Sequence, residues 1–161
     1  MSKKETATFA AGCFWGVEQT FSKIPGVIKT RVGYMGGDEK KYPNPSYKLV
    51  CTDKTGHAEV VYIEFDSAKV SYQDLLKVFW ENHDPTTLNR QGPDVGTQYR
   101  SVIFYYNEKQ KREAEESLKK EQKRLGKVKI VTVIVPAMHF FEAEEYHQKY
   151  LEKKGIESCH L

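Results

Sequence analysis

The 161-residue sequence predicts a mixed α/β (α+β) fold, a two-layer sandwich built on a mainly antiparallel sheet. Three observations carry that expectation. Four stretches rich in β-branched and aromatic residues have the length and alternation of strands. Two stretches with apolar residues at helical intervals fall between the first and second of these and between the third and fourth. Between the elements lie clusters of glycine, proline and asparagine, which punctuate a chain into compact units.

In order, "ETATFAAG" from Glu5 carries β-formers and ends in glycine. "FWGVEQTFSKI" then spaces Phe14, Val17, Phe21 and Ile24 along one helical face, and Pro25-Gly26 stops the helix. "VIKTRVGYMGG" reads as the second strand and the alternating "AEVVYIEFD" from Ala58 as the third. Ser71 is placed to cap a helix "YQDLLKVFWENH" with Leu75, Leu76, Phe79 and Trp80 turned inward. "YRSVIFYY" supplies the fourth strand. The order β-α-β-β-α-β is that of the ferredoxin-like split βαβ, whose two helices share one face of the sheet.

Beyond it lies the charged "NEKQKREAEESLKKEQKRLG", with Ala114, Leu118 and Leu125 as a thin apolar side, then "VKIVTVIVP" and "FFEAEEYHQKYLEKKG". The charge run reads as a solvated helix face. Two segments, "GGDEKKYPNPSYKLVCTDKTGH" and "HDPTTLNRQGPDVGTQ", read as long loops, and interleaved aromatics mark them as functional loops. One domain over residues 1–161 is expected, with 154–161 as a mobile tail.

With 39% hydrophobic and 29% charged residues the chain is globular, and a net charge of +3 is too mild to argue for nucleic acid. The longest apolar run, "IVTVIVPAM", is far short of the roughly 20 residues that cross a bilayer. The start, "MSKKETATFAAG", lacks the apolar core of a signal peptide, so a cytoplasmic location and no membrane partner are expected.

The three cysteines, Cys13, Cys51 and Cys159, stand far apart with no C-x-x-C pair, which argues against a structural disulfide framework and a zinc ribbon. Cys13 follows the first strand at the first turn of the first helix. A helix N-terminus stabilises a thiolate, the form that attacks. A small buried hydrophobe is the other reading of such a cysteine, and position alone leaves both open. Phe14 and Trp15 are likewise either core residues or an apolar wall suited to a methyl or thioether group.

"GCFWG", then "NPSYKLVCTDKTGHAE" and "GPDVGTQYRS", closely resemble the peptide methionine sulfoxide reductase A family from about Ala7 onward. The resemblance implies reduction of the S epimer of methionine sulfoxide, an established repair chemistry, on a ferredoxin-like core with long catalytic loops. It implies that Cys13 is the nucleophile and that Phe14 and Trp15 receive the ε-methyl group. Tyr47, Glu59 and Tyr99 correspond to the family's hydrogen-bonding set around the sulfoxide oxygen, and Asp94 to a polar residue of the same pocket. His57 reads as a loop-structuring residue. Cys159 resembles the recycling thiol of a C-terminal tail, with Gly155 as its hinge; Cys51 reads as structural, or as a substitute resolving thiol. Ending at Leu161 leaves one tail cysteine, which implies direct reduction of a Cys13–Cys159 disulfide by thioredoxin or a small dithiol. No cofactor, no metal, no nucleic acid and a monomer are expected.

The residue types suit that chemistry. A sulfoxide oxygen leaves only if it is protonated or strongly hydrogen-bonded while a soft nucleophile attacks sulfur. Glu59 supplies the proton only if burial raises its pKa. The products are methionine and a Cys13 sulfenic acid. Two rivals remain: a thiol peroxidase, which needs neither acid nor methyl pocket, and a non-enzymatic ferredoxin-like binding module, such as an RNA binder using exposed sheet aromatics. Glu144 and His147 have i,i+3 spacing, but a second Glu-x-x-His motif that would complete a di-iron site is missing.

Overall fold

A computed structural model describes residues 3–156, so Cys159 lies outside the described residues. The elements in order are β1 (Lys4–Ala11), α1 (Phe14–Ser22), β2 (Val27–Met35), the single turn α2 (Tyr47–Val50), β3 (Ala58–Asp66) and α3 (Tyr72–Glu81). There follow the short hairpin strands β4 (Arg90–Gln91) and β5 (Asp94–Val95), then β6 (Ser101–Tyr105), α4 (Glu108–Leu125), β7 (Val133–Pro136), β8 (Phe141–Glu142) and α5 (Tyr150–Lys153). The main sheet has the order β7-β6-β1-β3-β2-β8. Its four central strands, β6-β1-β3-β2, are all antiparallel and carry the split-βαβ topology. β7 adds a parallel edge beside β6 and β8 an antiparallel edge beside β2. The apolar "VKIVTVIVP" is thus partly a strand, and the sheet is mainly antiparallel.

Side-chain alternation sorts the sheet into two faces. Ala7, Phe9 and Ala11 of β1, with Val61, Ile63 and Phe65 of β3, join Phe14 and Phe21 of α1, Leu75, Leu76 and Phe79 of α3, and Ala114 of α4 in the main core. Three helices, not two, therefore cover this face. The opposite face carries Ala10, Met35, Ala58, Val60, Val102 and Phe104, closed by Ala137 and Phe140 from the segment after β7. That cover removes the open aromatic sheet an RNA-binding module would use.

The local signals explain the helix ends. Ser71 accepts from the Asp74 N–H at 3.0 Å and Asp74 accepts from the Ser71 N–H, a capping box. Asn107 caps α4. At α5 the Ile156 N–H reaches the Leu151 carbonyl and the Gly155 N–H that of Glu152, with Gly155 at φ 70°, a Schellman stop. Residues 154–156, at the start of the expected tail, thus close a helix, and Gln19 Nε2 donates to the Ile156 carbonyl. Among the described residues no helix is long and apolar enough to cross a membrane.

Candidate active site

The site begins where β1 turns into α1. Gly12 makes that turn at φ 100°, and a Cβ there would stand 2.8 Å from the Gln91 side chain, so conformation and space both demand glycine. Gln91 fixes the neighbouring loop by accepting from the Asp84 N–H and donating to the Asp84 carbonyl. Cys13, half-buried, is the N-cap of α1. Its thiol therefore lies at the helix end where unpaired N–H groups favour negative charge.

Parity in β3 brings Glu59 beneath that helix start, because position 59 alternates in phase with Val61, Ile63 and Phe65. Glu59 is fully buried, and its Oε1 accepts from the Phe14 N–H at 3.2 Å. Burial, reinforced by the negative charge of Asp94, raises its pKa to about 8 against the opposing Phe14 hydrogen bond. The carboxyl is thus neutral at pH 7, and its second oxygen, Oε2, is buried with no hydrogen-bond partner among the described residues. A proton on Oε2 is a donor waiting for an acceptor.

Two loops deliver the phenols. Ser46 caps the single turn α2, which presents Tyr47, and a 3₁₀ turn over Thr97–Tyr99 presents Tyr99. The two phenols lie within electrostatic reach of each other and of Glu59. Burial pushes the Tyr47 phenol well up and that of Tyr99 to about 12, so both remain protonated donors. Asp94, at the turn of the small hairpin, is raised by burial and lies within electrostatic reach of Glu59 and Tyr99.

The apolar wall is more tightly built than an exposed pocket residue implies. Phe14 is buried between Tyr34, Tyr47 and His147, with ring centroids 5.8, 6.2 and 5.2 Å away. Trp15 is half-buried, stacked on Tyr150 at 3.8 Å, and its indole N–H donates to His147 Nδ1 at 2.9 Å. No sequence motif marks Tyr34, Glu144, His147 or Tyr150 as pocket residues. Glu144 accepts from the Tyr34 hydroxyl at 3.0 Å and from the Tyr47 N–H at 2.9 Å, tying both tyrosines to the C-terminal segment. Glu144 and His147, weighed above as a metal pair, flank a 3₁₀ turn and are occupied with Tyr34, Tyr47 and Trp15. These contacts join residues 97 to 132 positions apart, beyond any local sequence signal.

His57 is buried, with Nδ1 accepting from the Gly37 N–H and Nε2 bonded to the Tyr42 carbonyl, so it joins two loops. Cys51, read above as structural, is an exposed residue beside Tyr47, and partial desolvation of its thiol raises its pKa. Cys13 also borders an open groove of about 1100 Å³ between α1, α3 and the loop through Gln91. Glu59, Tyr47, Tyr99 and Trp15 do not line it.

A ferredoxin-like sandwich that sets a helix-start thiol beside a neutral carboxyl and two phenols defines a thiol-dependent oxidoreductase. Comparison with known proteins narrows the class. The family described as peptide methionine sulfoxide reductase matches residues 5–161. The chain is 59% identical over 162 residues to the MsrA peptide methionine sulfoxide reductase of Methanothermobacter thermautotrophicus, covering 100% of this chain and 94% of that protein. The reduced form of Mxr1 from Saccharomyces cerevisiae superposes with a TM-score of 0.90 at 40% identity, over 95% of this chain and 87% of that one. Mxr1 solved in complex with Trx2 gives a TM-score of 0.65 at 27% identity, over 92% of this chain and 85% of that one. The chain belongs to the peptide methionine sulfoxide reductase family.

Proposed function

We propose that the chain reduces the S epimer of methionine sulfoxide, free or in oxidised proteins, with Cys13 as nucleophile and Glu59 as proton donor. The buried Oε2 of a carboxyl held neutral, with no hydrogen-bond partner among the described residues, carries this reading. The Cys13 sulfur attacks the sulfoxide sulfur while Glu59 protonates the oxygen and Tyr47 and Tyr99 hold it. Phe14 and Trp15 take the methyl group, and burial, reinforced by the charge of Asp94, keeps Glu59 protonated. Oxygen passes from substrate sulfur to Cys13, leaving methionine and a sulfenic acid.

Cys159 then attacks the sulfenic acid, releasing water and forming a Cys13–Cys159 disulfide. Reach supports this step. Gln19 holds the Ile156 carbonyl and also lines the groove beside Cys13. Gln19 lies six positions beyond Cys13 along α1, a rise of about 9 Å, and any three-residue span of chain reaches at most about 10 Å. Thioredoxin, or a small dithiol, reduces the disulfide, consistent with the solved Mxr1–Trx2 complex. A cytoplasmic setting suits cysteines that must return to the thiol state.

The test is a single turnover of Cys159→Ser on each sulfoxide epimer. The S epimer should yield about one methionine per protein and a Cys13 sulfenic acid, followed by a stall with thioredoxin and rescue by a small dithiol. Equal turnover of both epimers, or sustained thioredoxin-driven cycling, contradicts the scheme.

A further inference from the structure

The two oxygen-binding tyrosines ride on separate loops, and something must hold their phenols in register. Asp53 sits three residues beyond the α2 turn that carries Tyr47, with φ 69°, a left-handed conformation that favours glycine. Its carboxylate reaches across to the other loop. Oδ1 accepts from the Thr97 N–H at 2.9 Å and from the Thr97 hydroxyl. Thr97 is the first residue of the 3₁₀ turn that ends at Tyr99. From the far side Arg100 Nη1 donates to the Thr97 carbonyl at 2.9 Å, and Arg100 feels the charge of Asp53. Every polar group of Thr97 is thus held, two of them by Asp53.

We propose that Asp53 is a positioning residue that clamps Thr97 and so sets the Tyr99 phenol against the Tyr47 phenol. The proposal rests on the reading that both phenols bind the sulfoxide oxygen. Asp53 occupies a left-handed position at a conformational cost because a glycine there has no carboxylate to reach Thr97. Its contribution falls on transition-state geometry, since hydrogen bonds to a developing charge weaken steeply when donors are displaced.

Single-turnover reduction at saturating sulfoxide, with thermal stability measured alongside, tests this on Asp53→Gly, Asp53→Asn, Thr97→Val, Tyr99→Phe and the Asp53→Gly/Tyr99→Phe double variant. Asparagine keeps the acceptor and tolerates the backbone, so it should stay within about twofold of the parent. Asp53→Gly and Thr97→Val should slow the step by about tenfold, with the glycine variant no less heat-stable because its backbone strain is relieved. The double variant should be no slower than Tyr99→Phe alone, since both changes remove one function. An unaltered rate in Asp53→Gly beside a slow Tyr99→Phe overturns the clamp and leaves the phenol reading standing. An unaltered rate in Tyr99→Phe overturns that reading and the clamp with it. Rate loss that tracks loss of stability in both Asp53→Gly and Thr97→Val makes the contact merely structural and also overturns the proposal.

Discussion

Glu59 shows how one buried side chain joins stability to function. Its carboxyl is held near pKa 8 against 4.5 for an ordinary glutamate, so between those values the folded chain keeps a proton that the unfolded chain has lost. Stability attributable to this site is therefore fully present below about pH 4.5 and falls as pH rises through 8. Glu59→Gln keeps an oxygen for the Phe14 N–H and removes the titration. Its melting temperature should match that of the parent near pH 4.5 and exceed it by a growing margin toward pH 8.5. A margin that does not change with pH, or a less stable variant at pH 8.5, refutes the assigned ionisation. Glu59 was legible only through the "GHAE" motif that carries the family resemblance. Its unpartnered oxygen was not, since that depends on what Phe14, Tyr34 and Tyr47 leave unfilled.

Among the elements, the C-terminal segment changes the picture most. The first strand and helix were readable from periodicity, and so was α3 with its Ser71 cap. Residues 141–156 carry no strong period, yet they wrap the site: Arg31 bonds Glu142 and Glu145, Gln148 pairs with the backbone of Val32, and Glu18 accepts from the Lys149 N–H. These anchors hold His147 and Tyr150 against Trp15. Because Nδ1 of His147 accepts the indole N–H, its ring must be neutral with the proton on Nε2, and burial keeps its pKa low. His147→Phe preserves a ring and deletes the acceptor. The KM for sulfoxide should rise about fivefold, the worth of one net hydrogen bond, with kcat little changed, whereas Trp15→Ala should lower kcat/KM further and also cost stability through the lost Tyr150 stack. An unchanged KM in His147→Phe would show that Trp15 holds its place without the imidazole.

At the scale of the molecule, the antiparallel β6-β1-β3-β2 sheet explains why chemistry gathers at one end. Cys13 lies two residues beyond the end of β1, Glu59 is the second residue of β3, and the segments before β3 and before β6 carry Tyr47 and Tyr99. Antiparallel pairing sets those strand ends side by side, so residues 46 positions apart in sequence, Cys13 and Glu59, meet through the Phe14 N–H. The strand order was legible from the sequence. The third helix on the core face, the parallel β7 edge and the cover over the opposite face were not, because each depends on long-range packing of segments with weak local signals. The central claim is that this convergence makes Glu59 the acid for a Cys13 attack. The most direct measurement is the single-turnover rate of methionine formation for parent and Glu59→Gln from pH 6 to 9.5. The parent should lose rate above about pH 8 as the carboxyl ionises, and the variant should run roughly 10²- to 10⁴-fold slower without that alkaline fall. A Glu59→Gln variant that forms methionine at nearly the parental rate, or that retains the same alkaline fall, contradicts the account.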